Sequence, residues 1–274
     1  MARRLIVFDL DGTLLGADNR LSAHSIEVLS KARHAGLTLV AASGRGYRAA
    51  EMVLAPTNAV EHVICSNGAL LYHRPTRTIS DRHPIGPALI RDLYHRVNDG
   101  LAGVRWAWET EKGVVPDDEF GALREELDEL KASPPDLRLP LDDRPIEQRL
   151  EGFGPIVRAL LAHCELARDQ LLHRLKPCVP GELSASSSSA VFVEVTAPGV
   201  DKRTGLEAFC ASEGYHRDQV IAFGDHLNDL SMLLWAGRGI AMADAHQEVL
   251  DQIPERTEAG HDDDGVARFI ETLL

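Results

Sequence analysis

The feature that most constrains the fold is a set of short, uninterrupted apolar runs that alternate with helix-like segments. The runs Leu5–Phe8 and 220–223 contain no polar side chain, which is typical of a strand buried on both faces of a parallel sheet. Further runs occur at 37–42 and His62–Cys65. Strands that alternate with helices in this way predict βαβ units around a parallel sheet.

The alternation predicts a core in two halves, separated by an insertion. Helix signals follow the first strand, where Ser22 is placed as the N-cap of a helix over residues 23–35. The alternation of strand and helix signals stops after residue 84 and returns at the Val191-Phe-Val-Glu-Val segment, in which apolar residues alternate. We therefore expect a core of residues 1–84 and 191–274 and an inserted α+β domain of residues 85–190. The Ser186–Ser189 run is either a linker or the approach to the strand at Val191, and the strand is favoured.

Length and charge exclude several classes of protein. The 274 residues suffice for one large domain or for a core with a smaller second domain. A net charge of −13 argues against binding nucleic acid or an anionic membrane surface. No stretch approaches the 18 apolar residues of a membrane span, and the apolar run at the N-terminus is too short for a signal peptide. The four cysteines form no CxxC pair, which favours reduced thiols and a cytoplasmic location.

Two groups of acidic residues follow predicted strands. Asp9-Leu-Asp-Gly-Thr comes directly after the first strand, and Gly224-Asp-His-Leu-Asn-Asp ends another. Ligands of open α/β sheets bind beyond the carboxyl ends of the strands, so the two groups are expected to share one crevice. Solvated turns and helix caps are the less favoured alternatives for each group taken alone. Together they favour Mg²⁺, which prefers oxygen ligands from a few carboxylates, water and phosphate.

Two further features could bind an anion. Ser43 ends the second predicted strand and is followed by Gly44, so that a hydroxyl and open backbone N–H groups lie at one turn. Lys202 is one of only five lysines and opens a predicted helix. Its compact charge suits phosphate oxygens. Taken alone, Ser43 is equally well explained as a helix cap, and Lys202 is better explained as a solvated side chain.

In their order, these segments resemble the four motifs of the haloacid dehalogenase superfamily of phosphohydrolases. The motif residues are Asp9-Leu-Asp-Gly-Thr-Leu, Ser43-Gly-Arg, Lys202 and Gly224-Asp-His-Leu-Asn-Asp. Ser66-Asn-Gly-Ala, Asp263-Asp-Gly-Val-Ala and the position of the insertion resemble the Cof-type subfamily with a C2-type cap. The resemblance implies a Rossmann-like α/β core with a parallel sheet and an inserted α+β cap that closes over the site and selects the leaving group.

The resemblance also implies a role for each motif residue. Asp9 would be the nucleophile and form an aspartyl-phosphate, and Asp11 would act as general acid and then as general base. Asp9, Asp225 and the backbone carbonyl of Asp11 would bind Mg²⁺. The phosphoryl group would be held by a larger set, namely Leu10, Ser43, Gly44, Lys202 and Asn228. Asp229 would orient Lys202 or metal-bound water.

Several other residues are assigned weaker roles. His226 is expected at the rim of the site and not as a ligand, and Arg45 and Asn67 either contact substrate or close the hinge. The His261–Asp264 run is more readily a solvated loop than a metal site. Trp106 and Trp108 are expected in the core of the cap and not as a sugar platform.

The expected function is Mg²⁺-dependent hydrolysis of the phosphomonoester of a small metabolite, such as a sugar phosphate. The alternatives are a phosphomutase with the same motifs and a non-catalytic protein that binds phosphate or Mg²⁺. Four carboxylates and one lysine in one crevice predict that phosphate esters bind poorly until Mg²⁺ is present. The substrate and the oligomeric state are not fixed by the sequence.

Overall fold

The computed structural model describes residues 4–124, 127–186 and 191–274. The chain forms two compact units. The first contains the residues up to Ser43 together with Ala50–Asp81 and Asp201–Leu274, and the second contains Gly44–Ala49 and Arg82–Val200. None of the described helices is both long and apolar enough to cross a membrane. No disulfide links the four cysteines, all of which lie in the described ranges.

The first unit is built on a seven-stranded sheet in the order β12-β11-β1-β2-β3-β4-β5. Its strands are β1 (Leu5–Phe8), β2 (Thr38–Ala42), β3 (His62–Cys65), β4 (Leu70–His73), β5 (Thr78–Arg82), β11 (Val220–Gly224) and β12 (Arg238–Ala241). Strands β12, β11, β1, β2 and β3 run parallel to one another, and β4 runs antiparallel to β3. The central strand β1 is fully buried, as expected of a strand that is covered on both faces.

Helices lie between and after the strands of this sheet. They are α1 (Ala23–His34), α2 (Tyr47–Leu54), α8 (Lys202–Glu213), α9 (Leu230–Trp235), α10 (Gln247–Gln252) and α11 (Gly265–Glu271). The predicted N-cap is present, because Ser22 Oγ accepts a hydrogen bond of 2.9 Å from the Ser25 amide. The helix ends where expected, since Gly36 follows it with a φ of +88° that an L side chain rarely adopts. The predicted α/β class with a mostly parallel sheet is confirmed.

The second unit contains an antiparallel sheet in the order β7-β6-β8-β10-β9. Its strands are β6 (Val104–Thr110), β7 (Gly113–Pro116), β8 (Ile156–His163), β9 (Ser184–Ser186) and β10 (Val193–Thr196), and its helices are α3 (Pro87–Gly100), α4 (Asp118–Gly121), α5 (Asp128–Ala132), α6 (Ile146–Leu150) and α7 (Arg168–Leu175). Trp106 and Trp108 are buried in this unit with their rings stacked 5.1 Å apart, in agreement with the predicted core role.

One placement differs from the prediction. The strand predicted at Val191 was expected to begin the returning parallel core, but β10 pairs antiparallel with β8, with Thr196 opposite Arg158. The second unit accordingly continues to Val200. Alternating apolar residues identify a strand but not its partner, because both sheets offer a buried position for such a strand. In the serine run, Ser186 ends β9, and Ser187–Ser189 lie outside the described residues.

Candidate active site

Three carboxylates meet at the carboxyl end of the parallel sheet in the first unit. Phe8 lies opposite Phe223 in the β1–β11 register, and the Asp9 amide donates a 3.1 Å hydrogen bond to the Phe223 carbonyl. This register brings Asp9, which follows β1, next to Asp225, which follows β11. One carboxylate oxygen from each of Asp9, Asp225 and Asp229 lies within 4.8 Å of the other two. Residues 216 positions apart in the chain therefore share one site, as the strand argument predicts.

Lys202 lies between two of these carboxylates. It is the first residue of α8, whose N-terminus is capped by Asp201 through a 2.9 Å hydrogen bond from the Thr204 amide. The Lys202 Nζ atom is 2.7 Å from Asp9 Oδ1 and 2.6 Å from Asp229 Oδ1, and the side chain is fully buried. A buried cation in contact with two carboxylates offsets part of their mutual repulsion.

A close approach of two backbones sets the position of α8. The Ser66-Asn67-Gly68 turn follows β3, and a Cβ atom built on Gly205 would lie 2.9 Å from the Gly68 Cα atom. Gly68 itself has a φ of +98°. Any side chain at either glycine would push the helix away from the turn. The Ser-Asn-Gly sequence therefore helps to position Lys202 through helix packing, a role that the sequence alone did not indicate.

Asp229 fixes the loop after β11 as well as the lysine. Its Oδ2 atom accepts hydrogen bonds of 3.1 Å from the amides of Asp225 and His226, while Oδ1 contacts Lys202. A Cβ atom at Gly224 would lie 2.5 Å from the Asp229 Cβ atom, so this glycine allows the loop to fold back tightly. Asp229 thus orients Lys202 and the residue that would bind the metal.

Thr13 is a site residue that sequence reasoning did not single out. Its hydroxyl donates a 2.7 Å hydrogen bond to Asp225 Oδ1. The turn that allows this contact contains Gly12, whose φ is +75° and where an added Cβ would lie 2.5 Å from Asp225 Oδ2. The one available signal was its position, since a hydroxyl two residues after Asp11 falls in the turn that leaves β1.

The remaining predicted residues fall in different places. Ser43 is buried, and its carbonyl accepts a 3.1 Å hydrogen bond from the Asn67 amide. The Asn67 side-chain oxygen accepts from Asn228 Nδ2 at 3.0 Å, so that Ser43, Asn67 and Asn228 form one connected group in the first unit. Gly44 and Arg45 belong to the second unit.

Leu10 and Asp11 lie in the turn after Asp9. The Leu10 side chain is fully buried, and its carbonyl accepts from the amides of Leu14 and Leu15 at 3.1 and 2.9 Å. Asp11 is half-buried and lies outside the group of three carboxylates. Its side chain is therefore not one of the three whose oxygens meet at the candidate metal site.

Two histidine-containing segments near the site have other contacts. His226 is half-buried, and its ring centroid is 5.5 Å from that of His246. In the second segment, His261–Asp264, the His261 Nδ1 atom lies 2.6 Å from Asp244 Oδ2. The Asp264 Oδ1 atom accepts a 2.6 Å hydrogen bond from Ser22 Oγ. These contacts join the run to the rest of the first unit.

Burial and charge shift the titration of the site. Burial raises the pKa of Asp9 well above its ordinary value, and the neighbouring carboxylates raise it further while Lys202 lowers it. Burial, with the charge of Asp229, raises the pKa of Asp225 to about 7 against the Thr13 hydrogen bond. Burial lowers the pKa of Lys202, but Asp229 and Asp9 outweigh it and leave that pKa above its ordinary value.

The donor chemistry of the three carboxylates fits a hard divalent cation. All of the candidate ligand atoms are oxygens, which Mg²⁺ and Ca²⁺ prefer over nitrogen and sulfur. Three carboxylates face one lysine here, so the site is net negative when all four groups are ionised. A bound dication would offset that negative charge. The acidic cluster can therefore bind a metal ion.

Comparisons with known proteins agree with this geometry. The sequence is 27% identical to a 5-amino-6-(5-phospho-D-ribitylamino)uracil phosphatase of Bacillus subtilis, over 97% of this chain and 96% of the relative. It is 28% identical to a pyridoxal phosphate phosphatase of Escherichia coli, over 91% of each chain. The fold matches a haloacid dehalogenase-like hydrolase from Bacteroides thetaiotaomicron with a TM-score of 0.80 and 24% identity, covering 99% of this chain and 100% of that one. The sequence model of the haloacid dehalogenase-like hydrolases matches residues 6–270, and the chain belongs to this family.

Proposed function

We propose that this protein is a Mg²⁺-dependent phosphomonoester hydrolase that acts through an aspartyl-phosphate on a small phosphorylated metabolite. The observation that carries the proposal is the buried contact of Lys202 with Asp9 and Asp229, next to Asp225, at the carboxyl ends of β1 and β11. Membership of a hydrolase family and two relatives named as phosphatases support the same class of reaction.

In this mechanism Asp9 is the nucleophile. An electron pair of its carboxylate forms a bond to phosphorus, and the bond between phosphorus and the ester oxygen breaks. Asp11 gives its proton to the leaving alcohol. In the second step Asp11 takes a proton from water as the water attacks phosphorus, so that inorganic phosphate leaves and Asp9 is regenerated. Lys202 favours the ionised form of Asp9 that the first step needs.

The other residues hold the transferring group. Lys202, Ser43 and Asn228, together with the amides near Leu10 and Gly44, would contact phosphoryl oxygens. Asp9, Asp225 and the Asp11 carbonyl would hold Mg²⁺, which supplies positive charge against the phosphoryl oxygens. Asp229 keeps Lys202 in place through its 2.6 Å contact.

The substrate class follows from the relatives and from the two-unit architecture. The two relatives are named for pyridoxal phosphate and for a phosphorylated ribitylaminouracil, both of which are small phosphorylated metabolites. We assign the role of catalytic core to the first unit and that of C2-type cap, which selects the leaving group, to the second. The net charge of −13 and the separated cysteines fit a cytoplasmic enzyme that does not bind nucleic acid or membranes.

A screen of phosphorylated metabolites for Mg²⁺-dependent phosphate release tests the proposal. Asp9→Asn removes the nucleophile and is expected to lower kcat by on the order of 10³-fold or more while the protein stays folded. Asp18→Asn is the matched control, because Asp18 is exposed, and it should leave kcat unchanged. Circular dichroism of both variants verifies folding.

The alternative functions give different results in the same screen. A phosphomutase would release little phosphate and would need a phosphorylated activator. A non-catalytic binding protein would bind Mg²⁺ and phosphate without turnover. Absence of hydrolysis of every phosphomonoester with Mg²⁺ bound would contradict the hydrolase assignment.

A further inference from the structure

The second unit contains a buried group of three charged side chains that the mechanism above does not use. Arg158 on β8, Glu109 on β6 and Glu194 on β10 are 0, 2 and 1% exposed. We call these three residues the Arg158 cluster. Burying ions is costly unless they are well paired, so a cluster of this kind points to a role beyond general packing.

The cluster is held together by direct ion pairs. Glu109 lies opposite Arg158 in the β6–β8 register, and Arg158 Nε donates to Glu109 Oε2 at 2.7 Å. Arg158 Nη1 donates to Glu194 Oε1 at 2.9 Å. The planar guanidinium thus spans three neighbouring strands, which a lysine ammonium on the same strand would not reproduce.

The cluster also holds the segment Gly44–Ala49. Arg158 Nη1 donates a further hydrogen bond to the Gly44 carbonyl. A Cβ atom at Gly46 would overlap Glu109 Oε1, so the segment packs directly against the cluster. The Tyr47 hydroxyl donates a 2.7 Å hydrogen bond to the carbonyl of Glu111, one residue beyond β6. These contacts explain why Gly44–Ala49 belongs to the second unit although it lies between two stretches of the first.

We propose that Arg158 is a positioning residue that holds the backbone of Gly44–Ala49 in place within the second unit. The inference rests on the proposed function, in which Ser43 and Gly44 hold the phosphoryl group. Since the Gly44 carbonyl accepts a hydrogen bond from Arg158, the conformation of Gly44 depends on this side chain. Loss of Arg158 then weakens phosphate binding by freeing this segment, without a direct contact of Arg158 with substrate.

The first test measures backbone protection, which needs no turnover. Hydrogen-exchange mass spectrometry compares the wild type with Arg158→Met and with the matched control Arg149→Met. Arg149 is a half-buried arginine of the same unit that donates to the Pro140 carbonyl. We expect exchange in peptides covering residues 44–49 to rise about tenfold in Arg158→Met and to stay at the wild-type rate in Arg149→Met. An equal rise throughout the second unit would show that Arg158 acts only through general stability and would overturn the proposal.

The second test measures kinetics on the best substrate from the screen. Arg158→Met is expected to raise KM and the inhibition constant of inorganic phosphate about tenfold, with a smaller fall in kcat. Arg158→Lys, which keeps the charge, is expected to fall between wild type and Arg158→Met. Unchanged KM and phosphate inhibition alongside increased exchange at residues 44–49 would also overturn the positioning role.

Gly46→Ala disturbs the packing of the segment Gly44–Ala49 against the Arg158 cluster without changing Arg158. It therefore tests the proposal even if Arg158→Met does not fold. The added methyl group has to displace Glu109, so the same local rise in exchange and the same rise in KM are expected. Wild-type exchange and KM in Gly46→Ala would count against the proposal. If the metabolite screen itself gave no turnover, the exchange data would still decide whether the cluster fixes the segment.

Discussion

At the scale of single residues, the charge of Lys202 is expected to contribute strongly to the stability of the folded protein. This side chain is fully buried between Asp9 and Asp229. Replacing it with methionine would leave both carboxylates buried without this cation, which typically costs about 3–5 kcal/mol. We therefore expect Lys202→Met to lower the free energy of unfolding by about that amount at neutral pH without Mg²⁺, as measured by urea denaturation.

A double variant separates the charge effect from the loss of packing. In Lys202→Met/Asp229→Asn one of the two carboxylates is also gone, so the double variant should be more stable than Lys202→Met alone. The coupling free energy from this double-mutant cycle is expected to exceed about 1 kcal/mol. Additive effects of the two substitutions would show that the 2.6 Å contact contributes little.

Among single residues, the sequence predicted which ones lie together only where they come directly after a strand. Asp9 and Asp225 each come directly after a buried strand, and a parallel sheet brings such positions together. The contacts of Thr13 and Asn67 were not predictable in the same way. Thr13 reaches Asp225 across 212 positions and Asn67 reaches Asn228 across 161, and both contacts depend on turns with positive φ.

At the scale of elements, the turn after β1 leaves no room for a side chain at Gly12. Gly12→Ala and Gly36→Ala make a matched pair, because both glycines have φ between +75° and +88°. A Cβ at Gly36 meets no atom within 4 Å, whereas at Gly12 it would collide with the Asp225 carboxylate. Both variants should lose about 1 kcal/mol of stability from the backbone. Only Gly12→Ala is expected to weaken Mg²⁺ binding, by about tenfold or more, in isothermal titration calorimetry.

Equal Mg²⁺ affinity in the two glycine variants would show that the turn does not hold Asp225 in place. Gly36 serves as a reference for backbone strain alone. It lies between α1 and the amino end of β2, whereas the candidate site lies at the carboxyl ends of the strands. Unfolding curves recorded for both variants show whether the loss of stability is the same in each.

Elements were predictable where periodicity and caps were strong. The runs at β1, β2, β3 and β11 correspond to parallel strands, and Ser22 caps α1 as predicted. The sheet to which β10 belongs was not predictable, because its pairing with β8 depends on an insertion whose strands are far apart in the sequence. Contacts of high sequence separation carry no local signal.

At the scale of the whole molecule, the net charge of −13 is concentrated in the C-terminal part of the chain, which includes Asp225 of the candidate site. Residues 191–274 contain 6 basic and 16 acidic residues, and Asp225 is among them with a pKa raised to about 7. A carboxyl group whose pKa is higher in the folded than in the unfolded state binds more protons when folded. Its contribution to stability is therefore lost as the pH rises from about 4 to about 7, by at most about 1.4 kcal/mol per pH unit.

Asp225→Asn isolates this contribution from the other titrating groups of the chain. Without Mg²⁺, the variant should become progressively more stable than the wild type between pH 4 and about 7 and keep a constant advantage above that pH. Added Mg²⁺ should stabilise the wild type at pH 7.5 and the variant much less, since binding to the folded state alone shifts the unfolding equilibrium. Urea unfolding of both proteins across this pH range, with chelator or with Mg²⁺, measures each difference. Parallel pH profiles for the two proteins would mean that Asp225 titrates normally and that the excess negative charge lies elsewhere.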